Sequence, residues 1–364
     1  MSEIEYFKVQ LQQRAGRVRD YILAKADEAN FVPHDIKEAV CHYFLSGGKM
    51  LRPGVLLFAC GAVGGDEAVA LPAAAAVEIF HTWTLVHDDI IDRDEKRRGQ
   101  DTVHTKYYLK SLHDERFGFT PDEARHFGTI VGILAGDTQH GWSISLLSEL
   151  SDAPDIDPRV TLYLIKHLDS NVLNSLLAGE MLDILYSKNS FESLNESLIT
   201  EMLWRKTGAL YEFAGKAGAM IGLNSSDPHH PYVEAIASFT SQCGIAFQLQ
   251  DDILGIIGDE EILGKPVGSD IREGKKTIIV YHALKNATPK ERKRLNTILG
   301  SEKLTQLDIE YAVEALKQLG GIEQTKKIAE NYILNAQKAI EGIPDSKYKQ
   351  LLLTWADYLV NREF

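Results

Sequence analysis

The chain has 364 residues, 44% of them hydrophobic, which is enough for a sizeable core in one large domain or several small ones. Its net charge of −13 argues against a nucleic-acid-binding protein, which would carry a basic face. Cys41, Cys60 and Cys243 are far apart and odd in number, which indicates free core thiols in a reducing compartment rather than disulfides.

Helical periodicity predominates from a charged, amphipathic N-terminus that does not resemble a signal peptide. No stretch reaches the roughly 18 uncharged apolar residues of a membrane span. We therefore expect a cytoplasmic protein without stable membrane insertion. In chain order, helices are predicted over 4–28, 34–46, 72–92, 123–151, 160–187, 198–222, 231–257, 279–286 and three C-terminal stretches, and loops near 110–122, 152–158, 188–196 and 224–230.

The segments 72–92 and 231–257 are long, mainly apolar, and begin with prolines that suit the first position of a helix. Between residues 72 and 87 the only charged residue is Glu78, which indicates a helix buried on nearly all sides. No segment has the length or composition of a domain linker. The pattern predicts a single all-α domain over 1–364 with buried central helices.

The first apolar helix ends in "HDDIIDRDEKRRG". Asp88 and Asp92 are one turn apart and share a helix face, with Asp89 about 100° round. Two carboxylates this close repel each other, and a hard cation such as Mg²⁺ removes the conflict.

The second apolar helix repeats the arrangement in "FQLQDDILG", where Asp251 and Asp252 follow Gln248. One such pair is most often a solvated helix end. Two pairs in similar contexts favour a metal site, in which the helix ends could face each other across a cavity.

Basic residues accompany the two acidic clusters along the chain, and several follow them within about 25 residues. They are Lys49 and Arg52 in "GGKMLRP", Arg97, Arg98, Lys206, Lys265, Lys275 and Lys276. Alone, each would most often be a solvated surface charge. Together with the acids they suit a diphosphate, because a metal bridges carboxylate to phosphate and the cations neutralise the remaining charge.

The chain resembles the trans-isoprenyl diphosphate synthases, most closely the short-chain, archaeal-type geranylgeranyl diphosphate synthases. The matching blocks are "GGKMLRP" (47–53), "HTWTLVHDDIIDRDEKRRG" (81–99), "GD" (136–137), "GEMLDI" (179–184), "RKTGAL" (205–210), "FQLQDDILGIIGDEEILGKPVGSDIREGKKT" (247–277) and "QLGGIEQTKKIAENY" (318–332). The resemblance implies an isoprenoid synthase helical bundle around a deep central cavity, usually a homodimer, that condenses isopentenyl diphosphate with C5 to C15 allylic diphosphates. It also implies Mg²⁺, three ions per active site with substrate bound.

The resemblance assigns roles by position. Isopentenyl diphosphate would be bound by Lys49, Arg52, His81 and Arg98. The allylic diphosphate would be bound by Arg97, Lys206, Thr207, Gln248, Lys265 and Lys275. Catalysis would use Lys206, together with the dipoles of Thr207 and Gln248, which stabilise the allylic cation. Mg²⁺ would be held by Asp88, Asp92 and Asp251, with Asp183 as a weaker supporting candidate.

Two positions depart from the family pattern. Gly255 stands where many members have a third Asp, and we expect activity to survive this change. Glu180 stands where Gln is common, so its charge either alters metal affinity or is neutralised by a neighbouring Lys.

Product length is expected to be set along the apolar helix behind Asp88, where Trp83, Thr84 and Phe80 are the candidate floor. Trp83 could equally be plain core. One aromatic at this position is typical of C15 or C20 products in the family, so we expect C20, with C15 or a mixture next. The small residues 73–76 also leave C25 open.

Three other functions fit the sequence less well. A class I terpene cyclase shares the fold but needs no isopentenyl site, so Lys49, Arg52 and Arg98 argue against it. A non-catalytic regulatory subunit would typically lack one acidic cluster. A metal phosphohydrolase would need further His and Asp ligands that the sequence does not space suitably.

Overall fold

A computed structural model describes residues 1–45, 47–257, 268–301 and 303–360, and this part of the chain is mainly helical. It forms two compact units. The first contains Met1–Lys166 and Ala217–Pro228, and the second contains His167–Lys216 and His229–Phe364. Within the described ranges, the only β-structure is an antiparallel pair of two-residue strands. The predicted all-α class is confirmed.

The first unit contains seven α-helices and the two strands within its described residues. They are α1 (Glu3–Glu28), α2 (His34–Leu45), α3 (Leu51–Ala62), α4 (Leu71–Ile91), β1 (Lys96–Arg97), β2 (Gln100–Asp101), α5 (Val103–His113), α6 (Pro121–Ser148) and α7 (Pro158–Lys166). Helix α4 packs against α1, α3 and α6. Its residues 73–77 are all fully buried, as its apolar sequence predicts.

The second unit begins at a π-helical turn, His167–Val172, and contains a second one at Trp204–Gly208. Its helices are α8 (Leu173–Lys188), α9 (Glu196–Leu203), α10 (Ala209–Leu223, whose last residues belong to the first unit), α11 (Pro231–Ile257), α12 (Ser269–Glu273), α13 (Ile278–Asn286), α14 (Pro289–Ile298), α15 (Gln306–Gln318), α16 (Gly321–Ala339) and α17 (Lys347–Val360). Helix α11 packs against α13, α16 and α17. The buried ring of Trp355 contacts those of Tyr211 and Phe239 at centroid distances of 5.5 and 5.8 Å.

Most predicted helices are present with small shifts at their ends. Helix α6 starts at Pro121 rather than 123, because Thr120 and Glu123 form a capping box ahead of it. Helix α5 was not predicted, and the loop expected near 110–122 is wrong as far as His113. Among the described residues, no helix combines the length and apolarity needed to cross a membrane.

Candidate active site

The first acidic pair lies at the C-terminal end of α4, where the helix ends at Ile91. Asp88 and Asp92 are half-buried, and one carboxylate oxygen of each lies within 4.8 Å of the other. The partial negative charge at a helix C-terminus adds to their mutual repulsion. Oxygen ligands in this arrangement fit a hard divalent cation, because it would relieve both effects.

Asp89, the middle residue of the motif, is engaged within the protein instead. Its side chain is 1% exposed. Oδ2 accepts a hydrogen bond from the Tyr43 hydroxyl, while Arg97 donates to Oδ1 from Nε at 2.8 Å and contacts it from Nη2 at 2.7 Å. Burial lowers the pKa of Arg97, but the hydrogen bonds to Asp89 outweigh this and hold the pKa above its usual range. Arg97 is therefore a fixed cation.

Arg97 was expected to face the allylic diphosphate, and the structure places it beside the acidic motif. Its Nη2 lies 3.7 Å from Asp88 Oδ2, so it touches the carboxylates of both Asp88 and Asp89. Sequence reasoning missed the contribution of Tyr43. The only available signal was that Asp89 does not share the face of its two neighbours.

A basic cluster forms around the segment before α3. Arg52 Nη1 lies 3.0 Å from His81 Nε2, and Arg98 donates a hydrogen bond to the carbonyl of Gly47. Lys49 lies in the same segment and is exposed. The structure thus brings Arg52 to His81 and Arg98 to the segment that carries Lys49, although these residues come from three parts of the sequence.

His81 is neutral in this cluster. A guanidinium can only donate, so the contact with Arg52 requires an unprotonated Nε2. Burial lowers the pKa of His81 well below its usual range, and the charges of Arg52 and Arg98 lower it further. The positive charge of the cluster therefore comes from Lys49, Arg52 and Arg98, and His81 does not add a fourth cation.

The candidate floor residues lie on α4, where Trp83 and Phe80 face His140 of α6. Trp83 is 6% exposed, and its ring centroid lies 5.0 Å from that of Phe80 and 5.1 Å from that of His140. Its Nε1 donates to His87 Nδ1 at 3.2 Å. Thr84 is half-buried, with its hydroxyl bound to the His81 carbonyl. Trp83 is thus a packed core residue with a fixed orientation, which suits both readings of its role.

In the second unit, Lys206 lies in the π-helical turn Trp204–Gly208, a local geometry that often occurs at functional sites. Its Nζ lies 2.7 Å from Asp183 and 2.8 Å from Glu180. Gly179 permits this approach, because a Cβ atom there would lie 2.3 Å from the backbone nitrogen of Lys206. The sequence left open whether the charge of Glu180 is neutralised by a neighbouring lysine, and the structure pairs it with Lys206.

A chain of hydrogen bonds links Thr207 to the second acidic motif. Thr207 Oγ1 donates to Gln248 Oε1 at 3.0 Å, and Gln248 Nε2 donates to Asp252 Oδ1 at 3.0 Å. This fixes the direction of the Gln248 amide and leaves the lone pairs of the Thr207 oxygen as its accepting side. Thr207 and Gln248, which were predicted to stabilise the allylic cation by their dipoles, are therefore hydrogen-bonded to each other, and Asp252 fixes the Gln248 amide.

The second acidic motif ends α11 with a half-buried Asp251 and an Asp252 that is 7% exposed. Burial raises the pKa of Asp252 well above its usual range, and the charge of Asp270 raises it further. Its Oδ2 makes no hydrogen bond within the described part of the chain. Such an oxygen fits a cation or an ordered water.

Two further predicted residues lie in or near the segment after α11. Lys275 Nζ lies 2.8 Å from Glu273 and 3.9 Å from Asp270. Lys265 lies outside the described residues.

Comparisons with known proteins find related sequences and related structures. The polyprenyl synthetase family model matches residues 33–316. The geranylgeranyl diphosphate synthase of Methanosarcina mazei is 34% identical over 334 residues, which cover 91% of each chain. The crystal structure of geranylgeranyl pyrophosphate synthetase from Pyrococcus horikoshii superimposes with a TM-score of 0.84 at 34% identity over all of both chains. The enzyme from Corynebacterium glutamicum, complexed with isoprenyl diphosphate and magnesium, has a TM-score of 0.80 at 27% identity, covering 99% of each chain.

Proposed function

This chain belongs to the polyprenyl synthetase family, and on that premise we propose that it joins isopentenyl diphosphate head-to-tail to C5, C10 and C15 allylic diphosphates and releases geranylgeranyl diphosphate. Its class is that of the trans-prenyltransferases. The observation that carries the proposal is the repeated acidic end of two apolar helices, α4 and α11, with the fixed cation Arg97 beside the first of them.

We propose Asp88 and Asp92 in the first unit, and Asp251 in the second, as the Mg²⁺ ligands. The crowding of Asp88 and Asp92 at a helix C-terminus supports this assignment, because a divalent cation would relieve the repulsion between the two carboxylates. Bound Mg²⁺ would withdraw negative charge from the leaving diphosphate. Three ions per site remain an expectation from the family.

The basic residues would bind the two diphosphates. Lys49, Arg52 and Arg98, with neutral His81, would bind and orient isopentenyl diphosphate. Arg97, Lys206, Lys275 and Lys265 would bind the allylic diphosphate. Asp89 holds Arg97, and Glu180 and Asp183 hold Lys206, so neither cation must be ordered when substrate arrives.

Thr207 and Gln248 would stabilise the allylic cation. Because the Thr207 hydroxyl donates to Gln248, its oxygen can present lone pairs to a developing positive charge. The double bond of isopentenyl diphosphate would attack that cation, and the departing diphosphate would accept the proton lost afterwards. The protein then supplies positioning and leaving-group stabilisation, and no separate protein base is required.

Three finer points belong to the proposal. Three buried free cysteines support a reducing, cytoplasmic compartment. Ile130, Ile133 and Leu134 form an exposed apolar stripe on α6, which supports a homodimer in which a second copy covers this face. We propose the whole chain as one synthase domain.

The test is a condensation assay on the full chain. Purified protein is incubated with Mg²⁺, isopentenyl diphosphate and, separately, each of the three allylic diphosphates, and the products are dephosphorylated and sized by chromatography. We expect a C20 alcohol from every primer and none from the Asp88→Asn/Asp92→Asn variant. A C25 product would keep the reaction and move the floor deeper along α4. No condensation with any primer would exclude a synthase.

A further inference from the structure

The π-helical turn Trp204–Gly208, which carries Lys206, lies close against two neighbouring helices. A Cβ atom added at Gly179 of α8 would lie 2.3 Å from the backbone nitrogen of Lys206. A Cβ atom added at Gly244 of α11 would lie 2.9 Å from the Cα atom of Gly208. Both glycines therefore let a helix backbone approach the turn more closely than a residue with a side chain would allow.

Three side chains form a hydrogen-bonded network around this turn. Trp204 Nε1 donates to Glu212 Oε2 at 3.1 Å and to the Ser241 hydroxyl at 3.0 Å. The Ser241 hydroxyl donates to the same Glu212 oxygen at 2.9 Å. Trp204 is the first residue of the turn, Glu212 lies on α10, which continues from it, and Ser241 lies on α11. This indole network thus joins the start of the turn to the helix after it and to a helix packed against it.

The indole network fixes the Trp204 ring rather than neutralising a charge. Within the described part of the chain, Glu212 forms no ion pair, and its carboxylate accepts only from the neutral donors Trp204 and Ser241. An indole has a single N–H, so these bonds set the rotation of the ring. The ring lies over Gly208, where an added Cβ atom would be 2.9 Å from Cδ1 of Trp204. The Trp204 side chain therefore spans the turn from its first residue to its last.

The geometry of the turn decides where Lys206 and Thr207 point. Lys206 Nζ contacts Glu180 and Asp183 of α8. The Thr207 hydroxyl donates to Gln248 of α11. A π-helical turn is rare and wider than an α-helical turn, and each residue of an α-helix adds about 100° of rotation. Relaxation of the turn to α-helical geometry would rotate the two side chains relative to the flanking helices, so these contacts could not all be kept.

On the basis of the proposed function, we propose that Trp204, Glu212 and Ser241 are positioning residues for the allylic diphosphate. The indole network holds the π-helical turn, which directs Lys206 to the leaving diphosphate and the Thr207 oxygen to the developing cation. None of the three network residues touches the substrate. The network belongs entirely to the second unit, whereas the residues proposed to bind isopentenyl diphosphate belong to the first. Its loss therefore affects the allylic substrate alone.

The test measures the two substrates separately on full-length variants. Glu212→Ala removes the acceptor of both donors, Glu212→Gln keeps an acceptor oxygen without the charge, and Trp204→Phe keeps a ring without the N–H. Trp355→Phe is the matched control, because it makes the same substitution in the same unit at an indole whose Nε1 has no hydrogen-bond partner among the described residues. KM is measured for geranyl diphosphate and for isopentenyl diphosphate. The Kd of geranyl diphosphate with Mg²⁺ is measured by calorimetry, without isopentenyl diphosphate.

We expect Glu212→Ala to raise KM and Kd for geranyl diphosphate about tenfold or more, and Trp204→Phe about fivefold, the factor that a net hydrogen bond of about 1 kcal/mol represents. KM for isopentenyl diphosphate should stay unchanged in both variants. Glu212→Gln should keep most of the affinity, because its amide oxygen can accept from both donors. Trp355→Phe should lower the melting temperature through lost packing against Tyr211 and Phe239, but change neither KM nor Kd.

Two results would overturn the inference. One is a folded Glu212→Ala variant that binds geranyl diphosphate as tightly as the parent protein. The other is a loss in Glu212→Ala and Trp204→Phe that affects both substrates equally, as a general loss of structure would. The Kd of geranyl diphosphate does not depend on turnover. Failure of the parent protein in the condensation assay would therefore count against the proposed function and leave the comparison of Kd values interpretable.

Discussion

The Asp89→Asn replacement tests whether Asp89 has a structural role, in contrast to Asp88 and Asp92, which we propose as metal ligands. Asp89 accepts hydrogen bonds from Tyr43 and from Arg97, and its side chain is almost completely buried. An Asn at this position keeps the shape but loses the charge. Its single oxygen can still accept from Arg97, and its NH₂ group can donate to the Tyr43 oxygen, so the main loss is the charge that balances the Arg97 guanidinium.

The expected cost follows from that loss. Removing one partner of a buried ion pair destabilises a protein by about 3–5 kcal/mol, and the hydrogen bonds that Asn can retain favour the lower end. With an unfolding entropy of about 2.1 cal/mol/K per residue, cooperative unfolding of the 364-residue chain would shift Tm down by roughly 4–7 °C. Arg97→Gln in the same background should recover part of the stability, because no buried charge is left unpaired.

The assay combines urea unfolding with Mn²⁺ titration, and Asp88→Asn is the comparison. Asp88→Asn should weaken Mn²⁺ binding while changing stability little, because it relieves the repulsion from Asp92. Asp89→Asn should do the reverse. An Asp89→Asn variant that is as stable as the parent protein but no longer binds Mn²⁺ would refute the reasoning and make Asp89 a metal ligand.

Two further predictions use the same unit. Trp83→Ala should lengthen the product beyond C20 and destabilise the fold by about 3–5 kcal/mol. The control is Trp142→Ala, which removes a buried indole from α6 and should cause a similar destabilisation without lengthening the product. Equal product lengths in the two variants would exclude Trp83 as the floor. The second prediction concerns pH. Burial lowers the pKa of His81 in the folded chain, and the charges of Arg52 and Arg98 lower it further. The stability that neutral His81 contributes is therefore complete above about pH 6.5, the ordinary pKa of histidine, and is lost as the pH falls below that value. Urea midpoints between about pH 7.5 and 5 should therefore fall less steeply for His81→Gln, and parallel profiles would contradict the assignment.

The sequence predicted the helices well where the apolar periodicity continued over many residues and a helix-starting residue such as proline preceded it. Helix α11 spans Pro231–Ile257 as predicted, because its proline start and apolar faces are local signals. Helix α5 was missed, although its buried residues Val103, Tyr107 and Ser111 recur every fourth position. Its mixed polarity hid that spacing. The π-helical turn that carries Lys206 had no signal in the sequence, since it depends on packing against Gly179.

What the sequence determined by itself is the chemistry available at each helix end. The spacing of Asp88 and Asp92 fixes a shared face, and the neighbouring arginines fix the local charge balance, because these relations follow from helix geometry alone. Tertiary structure decided which of these groups are engaged with each other. Tyr43 meets Asp89 across 46 positions of sequence, and the carboxylate of Asp270 lies beside the backbone of Gly255. Contacts of this kind form only when helices pack, so no local pattern specifies them.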